Sequence, residues 1–138
     1  MPVQFISSNL FPLSMALISG AMLFWSFFGS RIRGIQEVDC QAALQLMNHK
    51  DAIILDVREA SEFKAGHILN AKLIPLGKLT ERMGELEKYR DRPMIVVCRS
   101  GNRSSSACAL LTKQGFAQAY NLTGGMMAWQ NKKFPSVT

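Results

Sequence analysis

The residue types best suited to chemistry fall in one stretch, MIVVCRSGNRSSSACALL, residues 94–111. Met94 to Val97 is wholly apolar and introduced by Pro93, the pattern of a strand buried on both faces. Cys98 ends that strand, and a helix is predicted from about Arg103 to Gln114, closed by Gly115. In open α/β sheets the ligand crevice lies beyond the carboxyl ends of strands, so Cys98 stands where chemistry is expected. The loop that follows, Arg99, Ser100, Gly101, Asn102, Arg103 and Ser104, is small and polar. Gly101 and Asn102 both tolerate left-handed backbone. Such a loop turns successive N–H groups inward as an anion-binding nest, reinforced by the helix N-terminus. Arg99 and Arg103 add two cations.

A free thiol with a pKa of about 8.5 is only ~3% ionised at neutral pH. Lowering it by about 2.5 units takes about 3.4 kcal/mol in favour of the thiolate. Several amide donors and two arginines can supply that, so Cys98 is read as a nucleophilic thiolate. The alternative, a buried structural cysteine at a strand end, leaves the Gly-Asn loop and its arginines without a purpose.

The elements that must position this loop can be read on either side of it. Asp39 caps a predicted helix over 40–48, with Ala43, Leu44 and Met47 at helical spacing. AIILDV, residues 52–57, reads as a second buried strand. A short helix follows Ser61 and ends at Gly66. KLI, 72–74, is a strand stopped by Pro75. Residues 79–89 have helix composition despite Gly84, with Glu81, Glu85 and Lys88 outward. AYNL, 119–122, is a further strand, and Gly124-Gly125 opens a last helix carrying Trp129. Alternating strands and helices over this length imply a parallel sheet covered on both faces.

All 26 charged side chains, 16 basic and 10 acidic, lie between Arg31 and Thr138; the first 30 residues carry none. Within that leader, LFPLSMALISGAMLFWSFF, residues 10–28, has only serines as polar members. As a helix it spans roughly 28 Å, close to the ~30 Å hydrocarbon core of a bilayer. Pro12 falls in the first turn, and Trp25, Phe27 and Phe28 gather beside Arg31 and Arg33, as in an aromatic belt flanked by cations. A secretory signal would carry positive charge before the apolar run, and a buried core helix would be shorter. Residues 1–30 are therefore read as a transmembrane anchor (helix about 10–28) and 31–138 as one globular domain. Basic residues on the C-terminal flank alone place that domain on the cytoplasmic side of the inner membrane. Ala16 and Gly20, four apart, give the anchor a small face on which a homodimer could form.

Six landmarks resemble the rhodanese (sulfurtransferase) family in its single-domain, membrane-anchored form: LDVRE (55–59), EFKAGHI (62–68), Ile74-Pro75, VVCRSGNRS (96–104), Gly115-Phe116 and LTGGMMAW (122–129). The resemblance implies an α/β fold, a parallel five-stranded sheet flanked by helices, here preceded by one N-terminal transmembrane helix. It also implies that Cys98 takes a sulfur from a donor such as thiosulfate as a persulfide and passes it to a thiol or protein acceptor, without metal or organic cofactor. A cationic nest suits that chemistry independently, because thiosulfate is a dianion and sulfite leaves as an anion. Cysteine-dependent phosphatases use C-x5-R, whereas Cys98 to Arg103 is C-x4-R, a tighter cradle. A tethered interaction or redox-sensing module on the same fold is the other alternative, which the intact CRSGNR disfavours.

Asp56 and Arg58 match the family's D-x-R element and are read as supporting residues, with Arg58 meeting Glu62 or Asp56. His67 is expected to be a hydrogen-bonded structural residue and His49 a solvated one; two separated histidines without paired cysteines make a metal site improbable. Where the family commonly has Pro-Gly-Ala, this chain has Leu69-Asn70-Ala71, and Asn70 can supply the left-handed turn. Cys40 and Cys108 are read as core residues, with Cys108 as resolving thiol the alternative. No structural disulfide is expected in a cytoplasm-facing domain. The net charge of +6 is spread along the domain with no basic run longer than Lys132-Lys133, which argues against nucleic-acid binding. Part of that excess suits a surface near anionic lipid headgroups.

Overall fold

The computed structural model describes residues 2–32 and 34–138. It divides into two compact units, Met1–Gly34 and Ile35–Thr138. The first holds two helices, α1 (Pro2–Ser8) and α2 (Leu10–Ile32). Helix α2 runs past Phe28 and is long and apolar enough to cross a membrane. Its apolar side chains are exposed all round: Phe11, Leu17 and Phe27 are each about three-quarters accessible. The flanking Arg33 lies outside the described residues, as do the side chains of Phe28 and Arg31.

In the second unit, β1 (Gln36–Val38), α3 (Cys40–His49), β2 (Ile53–Asp56), α4 (Ala60–Ala65), β3 (Lys72–Leu73), β4 (Met94–Val97), α5 (Asn102–Lys113), β5 (Ala119–Leu122) and α6 (Gly125–Asn131) follow in order. The five strands form one parallel sheet in the order β1-β5-β4-β2-β3. The apolar run of β4 is buried at every position because it lies at the centre of that order. Successive residues of a strand face opposite ways, so each central strand feeds two cores. Leu55, Met94, Val96 and Cys98 pack on one face with Ala107, Cys108 and Leu111 of α5. Ile54, Ile95 and Val97 pack on the other with Cys40 and Ala43 of α3 and with Met126 and Trp129 of α6.

Local signals behave as expected at several ends. The Asp39 carboxylate accepts from the Ala42 N–H at 2.7 Å and caps α3. Asn70 takes the left-handed conformation (φ 66°) that the turn requires. His67 Nδ1 donates to the Phe63 carbonyl, 2.7 Å away, and the ring stacks on that of Phe63, while His49 is exposed. Cys40 and Cys108 are both buried in the cores.

The segment 79–89 corrects the sequence reading, for it is not an α-helix. A 3-10 turn at Leu76–Lys78 is followed by a 3-10 helix over Met83–Tyr89. Gly84 weakens an α-helix there. The ion pairs that form, Arg82 with Glu85 and Glu87 with Arg90, are three apart, the spacing at which side chains eclipse in a 3-10 helix. The edge strand β1 was not foreseen, since Gln-Glu-Val has no apolar alternation; it pairs with β5, Glu37 opposite Asn121. Helix α1 was also unforeseen.

Candidate active site

Cys98 directly follows the last residue of β4, Val97, and the chain must turn at once to start α5 four residues later. Gly101 makes that turn at φ +107°, a conformation side chains rarely adopt. Asn102 is already the first helical residue, so the left-handed step falls on Gly101 alone. The turn brings the Gly101 N–H to 3.0 Å from Cys98 Sγ, pointing at the sulfur, while the Ser104 Oγ lies 3.3 Å from it. Cys98 itself is buried, at 1% exposure.

Two opposed effects act on the thiol. Burial is the largest single one and pushes it up. The Ser104 hydroxyl and the N–H groups of Ser104, Gly101 and Ser100 together outweigh burial, so Cys98 ionises below the ordinary thiol value. The groups that face the sulfur thus come from Ser100, Gly101 and Ser104.

The two arginines behave differently from that expectation. Arg103 turns to Glu62 of α4, with both guanidinium Nη atoms bonded to its carboxylate at 2.7 and 2.9 Å. These bonds hold the Glu62 carboxyl down at about 2 and raise Arg103 further. Arg103 is thus a countered charge rather than a free one. Arg99 is exposed and, among the described residues, makes no ion pair. It borders a cavity of about 280 Å³ with Glu62, Gly66, Met126, Met127 and Gln130. Ser100 and Asn102 are exposed at the rim.

Asp56 and Arg58 form a buried pair, Nε to Oδ1 at 2.9 Å and Nη2 to Oδ2 at 2.8 Å. Arg58 Nη2 also donates to the Gly66 carbonyl at 2.7 Å. The pair thereby ties the end of β2 to the end of α4, the helix that presents Glu62. Of the two partners expected for Arg58, it takes Asp56.

The loop is also held from behind. The N–H groups of Met126 and Met127 donate to the carbonyls of Cys98 and Arg99, at 2.8 and 3.0 Å. A Cβ on Gly125 would sit 2.7 Å from the Arg99 carbonyl carbon, so only glycine admits this approach. Asn121, in β5, was not singled out in the sequence, yet it is buried and bonds to both Ser104 and Gly101. The available signal was a lone amide in the middle of the otherwise apolar AYNL.

The sequence profile of the rhodanese-like domain matches residues 39–132. The chain is 36% identical over 104 residues to a protein named sulfurtransferase from Allochromatium vinosum, covering 75% of this chain and 95% of that one. It is 32% identical over 95 residues to the thiosulfate sulfurtransferase GlpE of Pseudoalteromonas translucida, covering 69% and 89%. The crystal structure of a rhodanese-related protein from Thermoplasma volcanium superposes with a TM-score of 0.62 at 33% identity, covering 74% of this chain and 97% of that one. With this profile spanning strands β2 to β5 and the Cys98 loop, the chain belongs to the rhodanese-like domain family.

Proposed function

We propose that this chain is a membrane-anchored sulfurtransferase in which Cys98 carries the sulfur. The observation that carries the reading is the Cys98 sulfur at the end of β4, accepting from the Gly101 N–H beside Ser104 in a cup that lowers its pKa. The Cys98 thiolate attacks the outer sulfur of an anionic donor of the thiosulfate type. A new S–S bond forms, the donor's S–S bond breaks, and sulfite leaves with the bonding pair. An acceptor thiolate, small or on a protein, then attacks the outer sulfur of the Cys98 persulfide, and Cys98 departs as a thiolate into the same N–H donors. No general base is required for a nucleophile already ionised. Arg99, exposed at the rim, recruits the anion. Ser100, Gly101, Asn102 and Ser104 line its path, and Arg103 shapes the loop through Glu62. The names of the two relatives given above support sulfur transfer, and that of GlpE supports thiosulfate as a donor.

The exposed stretch of α2 ahead of Arg31, which carries no charge, supports residues 1–30 as a single-pass anchor and 31–138 as the catalytic domain, on the cytoplasmic face of the inner membrane. Carbonate extraction with protease protection tests the anchor: the domain should stay with the membrane and resist protease added outside. Intact-mass measurement after thiosulfate treatment tests the chemistry. A one-sulfur adduct on the wild type that is absent from Cys98→Ser is expected; no adduct on either would leave a tethered module without turnover.

A further inference from the structure

Buried hydrogen bonds must match donors to acceptors, and around Cys98 one hydrogen has two claimants. Asn121, buried in β5, reaches between two parts of the loop. Its Nδ2 donates to the Gly101 carbonyl at 3.1 Å. A carbonyl can only accept, so the amide nitrogen must face Gly101 and the amide oxygen must face Ser104. That oxygen also can only accept, so the Ser104 hydroxyl donates to it. A serine has one hydroxyl hydrogen. With it given to Asn121, Ser104 shows Cys98 Sγ only lone pairs, 3.3 Å away. The hydroxyl can then receive the proton of a neutral thiol but has nothing to offer a thiolate. For the hydroxyl to join the loop N–H groups in holding the sulfur as an anion, it must swing from Asn121 to Sγ, leaving a buried amide oxygen without a donor, a state proteins rarely tolerate.

We propose that Asn121 is a positioning residue that holds the Ser104 hydrogen in reserve, releasing it to Cys98 Sγ when that sulfur becomes anionic and recapturing it when the sulfur is neutral. Given Cys98 as the sulfur carrier proposed above, the hydrogen changes partner twice per cycle. It points to Sγ in the free thiolate, to Asn121 in the persulfide, whose inner sulfur is uncharged, and to Sγ again as Cys98 leaves. The hydroxyl rotates and no proton is transferred; the thiol proton itself goes to solvent.

Other charged and titratable groups around the cup are Arg99 in the loop, Arg103 of α5 with Glu62 of α4, the Asp56–Arg58 pair at the end of β2, Cys108 of α5, and Glu37 of β1 opposite Asn121. An Asn121→Ala substitution alters none of these charges; it removes the bond to the Gly101 carbonyl as well as the one to Ser104, and the double variant with Ser104→Ala separates the two. The reading has an unusual sign: removing Asn121 frees the hydroxyl and makes the thiol more acidic. Alkylation of the Cys98 peptide, followed against pH in the full-length protein, measures this. Asn121→Ala should move the midpoint down by about one pH unit, a roughly tenfold faster reaction below the midpoint. Ser104→Ala should move it up, and the double variant should titrate like Ser104→Ala alone. An Asn121→Ala midpoint that is unchanged or raised, or a shift that persists without the Ser104 hydroxyl, would overturn the assignment. If Asn121→Ala does not fold, the wild type still decides. The Asn121 side-chain amide resonances should move with the Cys98 titration, and resonances that stay fixed would contradict the swing. Because alkylation reads the thiol whether or not thiosulfate loads it, failure of the relay and failure of sulfur transfer are told apart.

Discussion

Cys98 and Cys108 belong to the same apolar cluster, ten residues apart, and both are buried almost completely. Yet burial, with a smaller push from the Cys98 charge, drives the Cys108 thiol up to about 12, while Cys98 is lowered. The difference is the donors each sulfur meets: the Ser104 hydroxyl and the loop N–H groups at Cys98. Cys108 lies inside α5, where amide N–H groups are already bonded to carbonyls one turn back. Cys98 faces the mouth of that helix and a turn at Gly101, where N–H groups have no helical partner. Burial alone would raise both thiols; the Ser104 hydroxyl and unspent amides lower one of them.

The largest effect should come from the cysteines themselves. Cys98→Ser should reduce thiosulfate-dependent sulfur transfer to background, whereas Cys108→Ala should leave it within about twofold, since packing losses spread into stability rather than chemistry. Steady-state assays on both variants check this, and comparable losses would erase the contrast. Next in size is the turn. Gly101→Ala keeps the sulfur but strains a φ of +107°, costing about 1–2 kcal/mol and tilting the N–H that faces Sγ. Thermal unfolding and Cys98 reactivity should fall together.

A smaller effect concerns the neighbouring ion pair. The Glu62 carboxyl is depressed from 4.5 to about 2 by Arg103. A depressed acid stabilises the fold above its unfolded pKa and loses that contribution as pH falls through the folded one. The melting-temperature gap between wild type and Glu62→Gln should therefore be full at neutral pH and close between about pH 4.5 and 2. The smallest effect is kinetic. In Glu62→Gln, Arg103 becomes a free cation beside the site, and KM for thiosulfate should drop by a few-fold at low salt and converge with the wild type as salt is raised.

Much of this arrangement was legible in the sequence, because β4, β5 and the Cys98 loop are local patterns: MIVV and AYNL are strands at the residues expected, and the helix after the loop begins one residue earlier than Arg103. What escaped depends on residues distant in the chain. Arg103 looks like a free cation until the fold brings Glu62, 41 residues away, within 2.7 Å. Asn121 gains its importance only because β5 lies beside β4, so that an amide in one strand meets the loop leaving the other. The segment 79–89 failed for a local reason, since composition favours helix of either kind and the three-residue ion-pair spacing tips it to 3-10.

The most direct test is the ionisation of Cys98 in the full-length wild type, read as the pH dependence of alkylation resolved by peptide. A midpoint below the ordinary thiol value of about 8.5, with Cys108 unreactive over the same range, is the expected result. A Cys98 midpoint at or above that value would contradict the claim that the Ser104 hydroxyl and the unspent loop amides together outweigh burial and hold this sulfur ready to react.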